Sequence, residues 1–94
     1  MPKKYPPLLL REVIEILKCF GFAPQPRKGT SHEQWKKVYK EATYSVTVDH
    51  AIDEFDDTLL KIIIHEQAKI PREAFYSGCK SAAAKIGVSP RRCD

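Results

Sequence analysis

The sequence predicts an α+β domain in which helices pack on one face of a three-stranded antiparallel sheet, in the order α-β-β-β-α. Two observations predict this class. Near both ends of the chain, apolar residues recur every three or four positions, as on the buried face of a helix. In the middle they alternate with polar residues, as in a half-buried strand. At 94 residues, the chain is long enough for one such two-layer domain with a single core.

The first helix is predicted over residues 8–20, and Gly21 is suited to end it. The charged positions are assigned to its solvated face: Arg11, Glu12, Glu15 and Lys18. The apolar positions that define its buried face are Leu10, Val13, Ile14, Leu17 and Phe20.

Three strands are predicted to follow the first helix. If residues 22–28 are extended, they must form an edge strand, because Pro24 and Pro26 lack an amide hydrogen. Residues 30–39 alternate so that Trp35 lies on the core face, whereas His32 and Lys36 lie on the opposite, exposed face. After a turn at 40–42, residues 43–49 give the clearest strand pattern, with Tyr44, Val46 and Val48 on one face.

The second half of the chain is predicted to be helical. An acidic loop over 51–57 leads to a helix from about residue 57 to 69, with Asp56 as the N-cap. The β-branched run at 62–64 is equally compatible with a buried strand, but the cap and the length favour a helix. A short helical turn over 71–77 follows. The pattern of 79–94 does not decide between a helix and an irregular tail.

The domain organisation expected from these patterns is a disordered lead-in at 1–7, a single domain at 8–77 and a C-terminal extension at 78–94. No apolar stretch is long enough for a membrane span or a signal peptide, so a cytoplasmic location is expected.

The three cysteines, Cys19, Cys79 and Cys93, are odd in number and widely spaced. Free thiols are therefore expected, with Cys19 near the core.

Charge is distributed unevenly along the chain. Residues 1–40 carry nine Lys or Arg and three Asp or Glu, a net charge of +6, whereas residues 41–94 carry seven and nine, a net charge of −2. A basic half of this kind favours nucleic acid, or an acidic protein, as the partner. The acidic segment 49–57 lacks the glycine and the ligand spacing of an EF-hand, and no metal site or cofactor is predicted.

The candidate site is the segment 27–40, in which basic residues surround a single histidine, His32. Histidine is the side chain whose ordinary pKa lies nearest neutral pH, so it suits proton transfer. Gly29 permits close approach of a phosphate to the backbone. The phosphate contacts are predicted to be Arg27, Lys28, Gly29, Lys36 and Lys37. The alternative is an ordinary exposed histidine on a solvated basic face.

Four segments in this order resemble the HicA (YcfA-like) toxins of type II toxin–antitoxin systems: R-E-V-I-E-I-L-K-C-F-G-F, R-K-G-T-S-H-E-Q-W, S-V-T-V-D-H and L-L-K-I-I-I-H-E-Q-A-K-I-P-R-E-A-F-Y. The resemblance covers roughly residues 9–77. The family's Gly-Ser-His motif matches Gly29 and His32, although this chain has one additional residue between the glycine and the histidine.

This resemblance implies a double-stranded-RNA-binding-domain-like fold, whose α-β-β-β-α order is the one predicted here. It also implies metal-independent cleavage of mRNA, with His32 as the catalytic residue, and neutralisation by a HicB-type antitoxin. Two alternatives from the residues themselves stay open. One is a non-catalytic RNA-binding module on the same fold, and the other is a protein-interaction domain whose basic face meets an acidic partner.

Overall fold

The computed structural model describes residues 5–26, 29 and 31–93. Within these residues the protein is an α+β domain with a three-stranded antiparallel sheet and four helices, the second of which continues as a π-helix. The elements in chain order are β1 (Leu8–Leu9), α1 (Leu10–Cys19), β2 (Ala23–Pro24), β3 (His32–Tyr39), β4 (Ala42–Asp49), β5 (Glu54–Phe55), α2 (Asp57–Lys61), the π segment (Ile62–Ala68), α3 (Arg72–Tyr76) and α4 (Lys80–Ile86).

The main sheet is the predicted meander, with strand order β2-β3-β4. Strands β3 and β4 pair along their whole length, from His32 opposite Asp49 to Tyr39 opposite Ala42. The turn between them places Lys40 and Glu41 at φ values of 49° and 65°, the left-handed region that tight hairpin turns use. Strand β2 is a two-residue edge strand in which Pro24 lies opposite Trp35, as expected for a segment that cannot donate on both sides.

Alternation along β3 and β4 separates a buried face from an exposed face, as predicted. Trp35 is buried in the core with Val46 and Val48. The opposite face carries the exposed side chain of His32. Tyr39 shares the strand face of Trp35 but is 51% exposed, because it lies at the end of the hairpin. Trp35 is therefore a core residue.

A second, two-stranded sheet was not predicted. Strand β1 pairs with β5, with Leu8 opposite Phe55, and both side chains are buried. The amide of Leu10 continues this pairing with a 2.9 Å hydrogen bond to the carbonyl oxygen of Asp53. The segment 51–57, predicted as a loop, is thus partly a strand. Two-residue strands are too short to show a periodic pattern.

The helix predicted to begin near Asp57 is present, which resolves the choice between helix and strand at 62–64 in favour of a helix. The Oδ1 atom of Asp56 accepts a 2.9 Å hydrogen bond from the amide of Leu59, the N-cap contact expected from the sequence. The helix widens into the π segment and ends at Lys69, which has a left-handed φ of 55°. The π-helical turns have no sequence signal in this chain.

The segment after Gly78 packs into the core. Helix α4 buries Ala82 and Ala83, and its side chains contact Glu12 of α1. Sequence analysis placed Glu12 on the solvated face, which is wrong, since Glu12 is only 1% exposed. Its carboxylate accepts hydrogen bonds from the Leu9 amide (2.8 Å), the Ser81 hydroxyl and the Lys85 ammonium (2.8 Å).

The environment of Glu12 determines its ionisation. Burial raises the pKa of its carboxyl group, but the hydrogen bonds from Leu9, Lys85 and Ser81 outweigh that effect and leave the pKa below its usual value. A carboxylate whose folded pKa is depressed stabilises the protein above its unfolded pKa, and this stabilisation is lost as pH falls through the folded pKa.

We expect Glu12→Gln to lower the free energy of unfolding at pH 7 by about 1–3 kcal/mol, because hydrogen bonds to a charged group are weakened. Urea unfolding at pH 7 and at successively lower pH measures the effect, which should shrink as Glu12 of the wild type becomes protonated. Glu15→Gln is the control, since Glu15 is exposed on the same helix. An equal, pH-independent loss in both variants would contradict this role for Glu12.

The prediction of free thiols is wrong for two of the three cysteines. Cys19, at the end of α1, forms a disulfide with Cys93, and their Cα atoms are 4.8 Å apart. Cys79 is free and buried. Nearby, the Arg91 amide donates a 2.7 Å hydrogen bond to the Ser77 carbonyl oxygen. The disulfide joins residues separated by 74 positions, and such a distance in the chain gives no local signal.

In the described part of the chain, no helix is long and apolar enough to cross a membrane.

Candidate functional site

His32 lies at the beginning of β3, directly opposite Asp49 at the end of β4. Opposite positions in an antiparallel pair place both side chains on the same face. The Nε2 atom of His32 is 3.6 Å from Oδ2 of Asp49, and the histidine side chain is 59% exposed. The structure therefore combines an accessible imidazole with a carboxylate that can orient it.

Asp49 is held in place and kept ionised by its surroundings. Its Oδ1 atom accepts a 2.9 Å hydrogen bond from the amide of Ala51. That hydrogen bond and one from the Ser31 side chain lower the pKa of the Asp49 carboxyl, and the charges of His32 and His50 lower it further; together they outweigh the opposing effect of burial. The Asp49 carboxylate is thus negatively charged at neutral pH.

A second histidine, His50, holds the residues on either side of His32 in place. The Nε2 atom of His50 is 2.7 Å from Oε1 of Glu33, and the same oxygen accepts a 2.9 Å hydrogen bond from the Trp35 indole. The amide of His50 also donates to the Ser31 carbonyl oxygen at 2.8 Å. Sequence analysis placed His50 in an acidic loop, and its contact with β3 was not predicted. Together these bonds attach the residues on either side of His32 to the end of β4 and to the core.

A groove of about 210 Å³ opens beside His32. Its polar lining residues come from the sheet and from the π segment, among them Thr47, Asp49 and Gln67. The Oε1 atom of Gln67 accepts a 3.1 Å hydrogen bond from the Thr47 amide, which holds the π segment against β4. Its apolar lining residues are Ile52, Phe55, Leu59, Ile62 and Ile63. An apolar groove with a few polar groups at its mouth is the usual form of a ligand site.

The structure separates the basic residues that the sequence grouped with His32. Lys36 lies on the exposed face of β3 with His32, but four residues further along, which is about 13 Å. Lys37 is on the opposite face, with its ammonium 5.9 Å from the ring centre of Phe22 and 5.4 Å from that of Tyr39. Lys36 and His32 could therefore contact two different phosphates on one side of the sheet, whereas Lys37 faces the other side.

Gly29 is exposed and adopts a left-handed φ of 69°, a conformation in which glycine carries no steric cost. Leaving aside its two chain neighbours, no atom lies within 4 Å of where a Cβ atom would be. Arg27 and Lys28, the other predicted phosphate contacts, lie outside the described residues.

Between His32 and Lys36, the exposed face carries hydrogen-bonded side chains. The side-chain amide of Gln34 donates a hydrogen bond to the Thr47 hydroxyl and accepts one from the Ser45 hydroxyl, both at 2.8 Å.

Comparison of the chain with models of known families, with curated proteins and with solved structures found no match. Among residues 5–26, 29 and 31–93, no group of three or more His, Cys, Asp or Glu side chains is arranged to hold a metal ion.

Proposed function

We propose that this protein is the toxin of a type II toxin–antitoxin system and that it cleaves mRNA without a metal ion, with His32 as its catalytic residue. The observation that carries the proposal is the exposed His32 imidazole, 3.6 Å from an ionised Asp49, at the mouth of a groove. The resemblance of the sequence to HicA toxins supports the same assignment. A double-stranded-RNA-binding-domain-like fold is part of the proposal, and the three-stranded meander is consistent with it.

The reaction uses the RNA as its own nucleophile. His32 accepts the proton of a ribose 2′-hydroxyl, and the 2′-oxygen forms a bond to the adjacent phosphorus. The bond from phosphorus to the 5′-oxygen of the next nucleotide breaks, that oxygen takes up a proton from water, and His32 returns its proton to the solvent. The products are a 2′,3′-cyclic phosphate and a 5′-hydroxyl end. Neither an oxidant nor a second substrate is consumed.

Asp49 has a positioning role in this scheme. As His32 takes up a proton it becomes positively charged, and the fixed carboxylate of Asp49 stabilises that charge. The exposed backbone at Gly29 and the Lys36 ammonium are suited to phosphates of the bound strand. The lysine neutralises charge rather than transferring a proton. Lys37, on the other face of the sheet, is a less suitable contact for the same strand.

The partner proposed for the toxin is a HicB-type antitoxin that covers His32 and the groove and places acidic groups near Lys36. The proposed location is the cytoplasm, where mRNA is translated. In a pull-down, tagged toxin should retain the antitoxin, and bound antitoxin should suppress RNA cleavage. A complex in which His32 stays accessible would count against this mode of neutralisation.

Incubation of purified protein with a long RNA in EDTA tests the central proposal. Cleavage products with 2′,3′-cyclic phosphate ends are expected. The second candidate is a non-catalytic RNA-binding module, which is favoured by the fact that a cross-strand His32–Asp49 pair can also be purely structural. RNA that is retained by the protein but stays intact in EDTA would support this second function.

We expect Asp49→Asn to lower kcat for RNA cleavage about tenfold, which corresponds to about 1.4 kcal/mol, and to leave KM unchanged. Asparagine can still accept the hydrogen bond from Ala51, so the turn is preserved while the charge beside His32 is removed. Steady-state kinetics on a fluorescent RNA measure the change. Asp53→Asn, at an exposed position of the following loop, is the control. An unchanged kcat for Asp49→Asn would exclude the positioning role.

A further inference from the structure

A second and larger cavity, of about 730 Å³, lies beside the disulfide. It is open to solvent and is lined by the end of α1, the beginning of α4 and the C-terminal segment that Cys93 attaches to Cys19. None of its lining residues belongs to the groove beside His32. The two cavities are therefore separate sites.

The side chains around this cavity are strongly basic. Lys18, Lys80, Arg91 and Arg92 contribute four positive charges, and Glu15 contributes one negative charge. Over residues 5–26, 29 and 31–93, the ion pairs are formed by other cations: His32, His50, Lys61, Arg72 and Lys85. The four cations of the cavity are thus available to an anionic ligand.

The C-terminal segment is held in a defined position over the cavity. The guanidinium of Arg91 stacks on Phe20, 4.2 Å from the ring centre, and its amide is hydrogen-bonded to Ser77. The disulfide anchors Cys93 two residues further on. A guanidinium oriented in advance loses less entropy when it binds a phosphate, and its planar donors suit phosphate oxygens.

We propose that this basic cavity binds the phosphodiester backbone of single-stranded RNA, and that it holds the substrate at a second point while His32 acts on another nucleotide. The inference rests on the proposed function for its choice of ligand. The cavity is larger than a single phosphate requires, and four cations can neutralise several successive phosphates. Since contacts of this kind do not involve base edges, the site adds affinity without sequence preference.

The test uses a fluorescein-labelled 20-nucleotide oligouridylate and the His32→Ala protein, so that the RNA is not cut during titration. The dependence of log K on log salt concentration is measured for three double variants. In Arg91→Gln/Arg92→Gln and in Lys18→Gln/Lys80→Gln, the slope should become shallower by about 1.4, since each lost single-strand phosphate contact contributes about 0.7. The lysine pair leaves the C-terminal segment unaltered, so it controls for a loss of folding at Arg91.

Lys61→Gln/Lys69→Gln is the matched control, because it removes the same charge from exposed positions that do not line the cavity. Its slope of log K against log salt concentration should equal that of the His32→Ala protein. If both cavity variants also keep the slope of the His32→Ala protein, the inference is wrong, although cleavage of long RNA by the wild type would still support the proposed function. RNA that is bound with the expected slopes but is not cut by the wild type would support this inference and overturn the proposed function. An absence of RNA binding would overturn both.

The disulfide gives an independent test of the same site. Cys93→Ser should weaken RNA binding in the absence of reductant, because Arg91 and Arg92 lose their covalent anchor. Addition of dithiothreitol to the His32→Ala protein should weaken RNA binding in the same way. It should not weaken RNA binding by the Cys93→Ser variant any further. Inorganic phosphate should compete with the RNA only at high concentration if the cavity prefers a continuous backbone. RNA affinity that is the same in the oxidised, reduced and Cys93→Ser proteins would contradict a role of the anchored segment.

Discussion

Replacement of His32 by alanine is expected to lower the rate of RNA cleavage in EDTA by about 10²–10⁴-fold, the usual contribution of a general base. Alanine removes the proton acceptor but leaves β3 paired with β4, because the strand hydrogen bonds are made by the backbone. RNA binding should change little, since Lys36 and the exposed backbone at Gly29 are retained. The expected loss is therefore in catalysis and not in affinity.

Cleavage of a long RNA, followed on denaturing gels with wild type, His32→Ala and His65→Ala, measures this prediction. His65 is an exposed residue of the π segment, and its replacement should leave the rate unchanged. A His32→Ala protein that cuts RNA at the wild-type rate would exclude the catalytic assignment. If neither protein cuts RNA, salt-sensitive RNA retention would favour the binding module, and a lack of retention would favour a protein-interaction domain.

Loss of the Cys19–Cys93 disulfide is expected to lower the free energy of unfolding by about 4 kcal/mol. A cross-link between residues 74 positions apart restricts the unfolded chain, and the loop-entropy relation gives a value of this size. For a domain of this length, each kcal/mol lowers Tm by about 4–8 °C, so the Cys19→Ser/Cys93→Ser protein should unfold about 20 °C below the oxidised wild type.

Thermal unfolding of the wild type with and without reductant, beside the double serine variant, tests this prediction. The reduced wild type should have the same Tm as the double serine variant, and reductant should not change the Tm of the variant itself. Intact mass under non-reducing conditions should show the wild type lighter by a pair of hydrogen atoms than its reduced form. Equal Tm values for all samples would contradict a stabilising cross-link. Reducing compartments such as the proposed cytoplasm keep most thiols reduced, so there the protein should have the lower stability and the weaker RNA binding of its reduced form.

The parts of the fold that could be predicted from the sequence are those with local causes. The three-to-four-residue period of α1, the alternation around Val46 and the cap at Asp56 each involve neighbours within a few positions. The contacts that were missed join distant parts of the chain. Glu12 could not be recognised as buried, because its partners Ser81 and Lys85 are 69 and 73 positions away.

The candidate site shows the same limit. Alternation relative to Trp35 correctly placed His32 on the exposed face, and it also placed Lys36 there. The pairing of His32 with Asp49 depends on the register between two strands, which a single sequence does not specify, and no signal in β4 pointed to it. The same holds for the groove, since its apolar lining comes from the turn at Ile52, β5, α2 and the π segment, whose position against β4 is set by tertiary packing.

The hydrogen bond between Gln67 and Thr47 has a consequence for how other chains can associate with this protein. An exposed sheet edge can accept a further strand from a partner or from a misfolded copy. Here the Thr47 amide of the edge strand β4 is already occupied by Gln67 at 3.1 Å. At the other edge, β2 is only two residues long and contains Pro24. Strand addition is therefore blocked at the Thr47 amide, and the short, proline-containing β2 offers little backbone for pairing at the other edge.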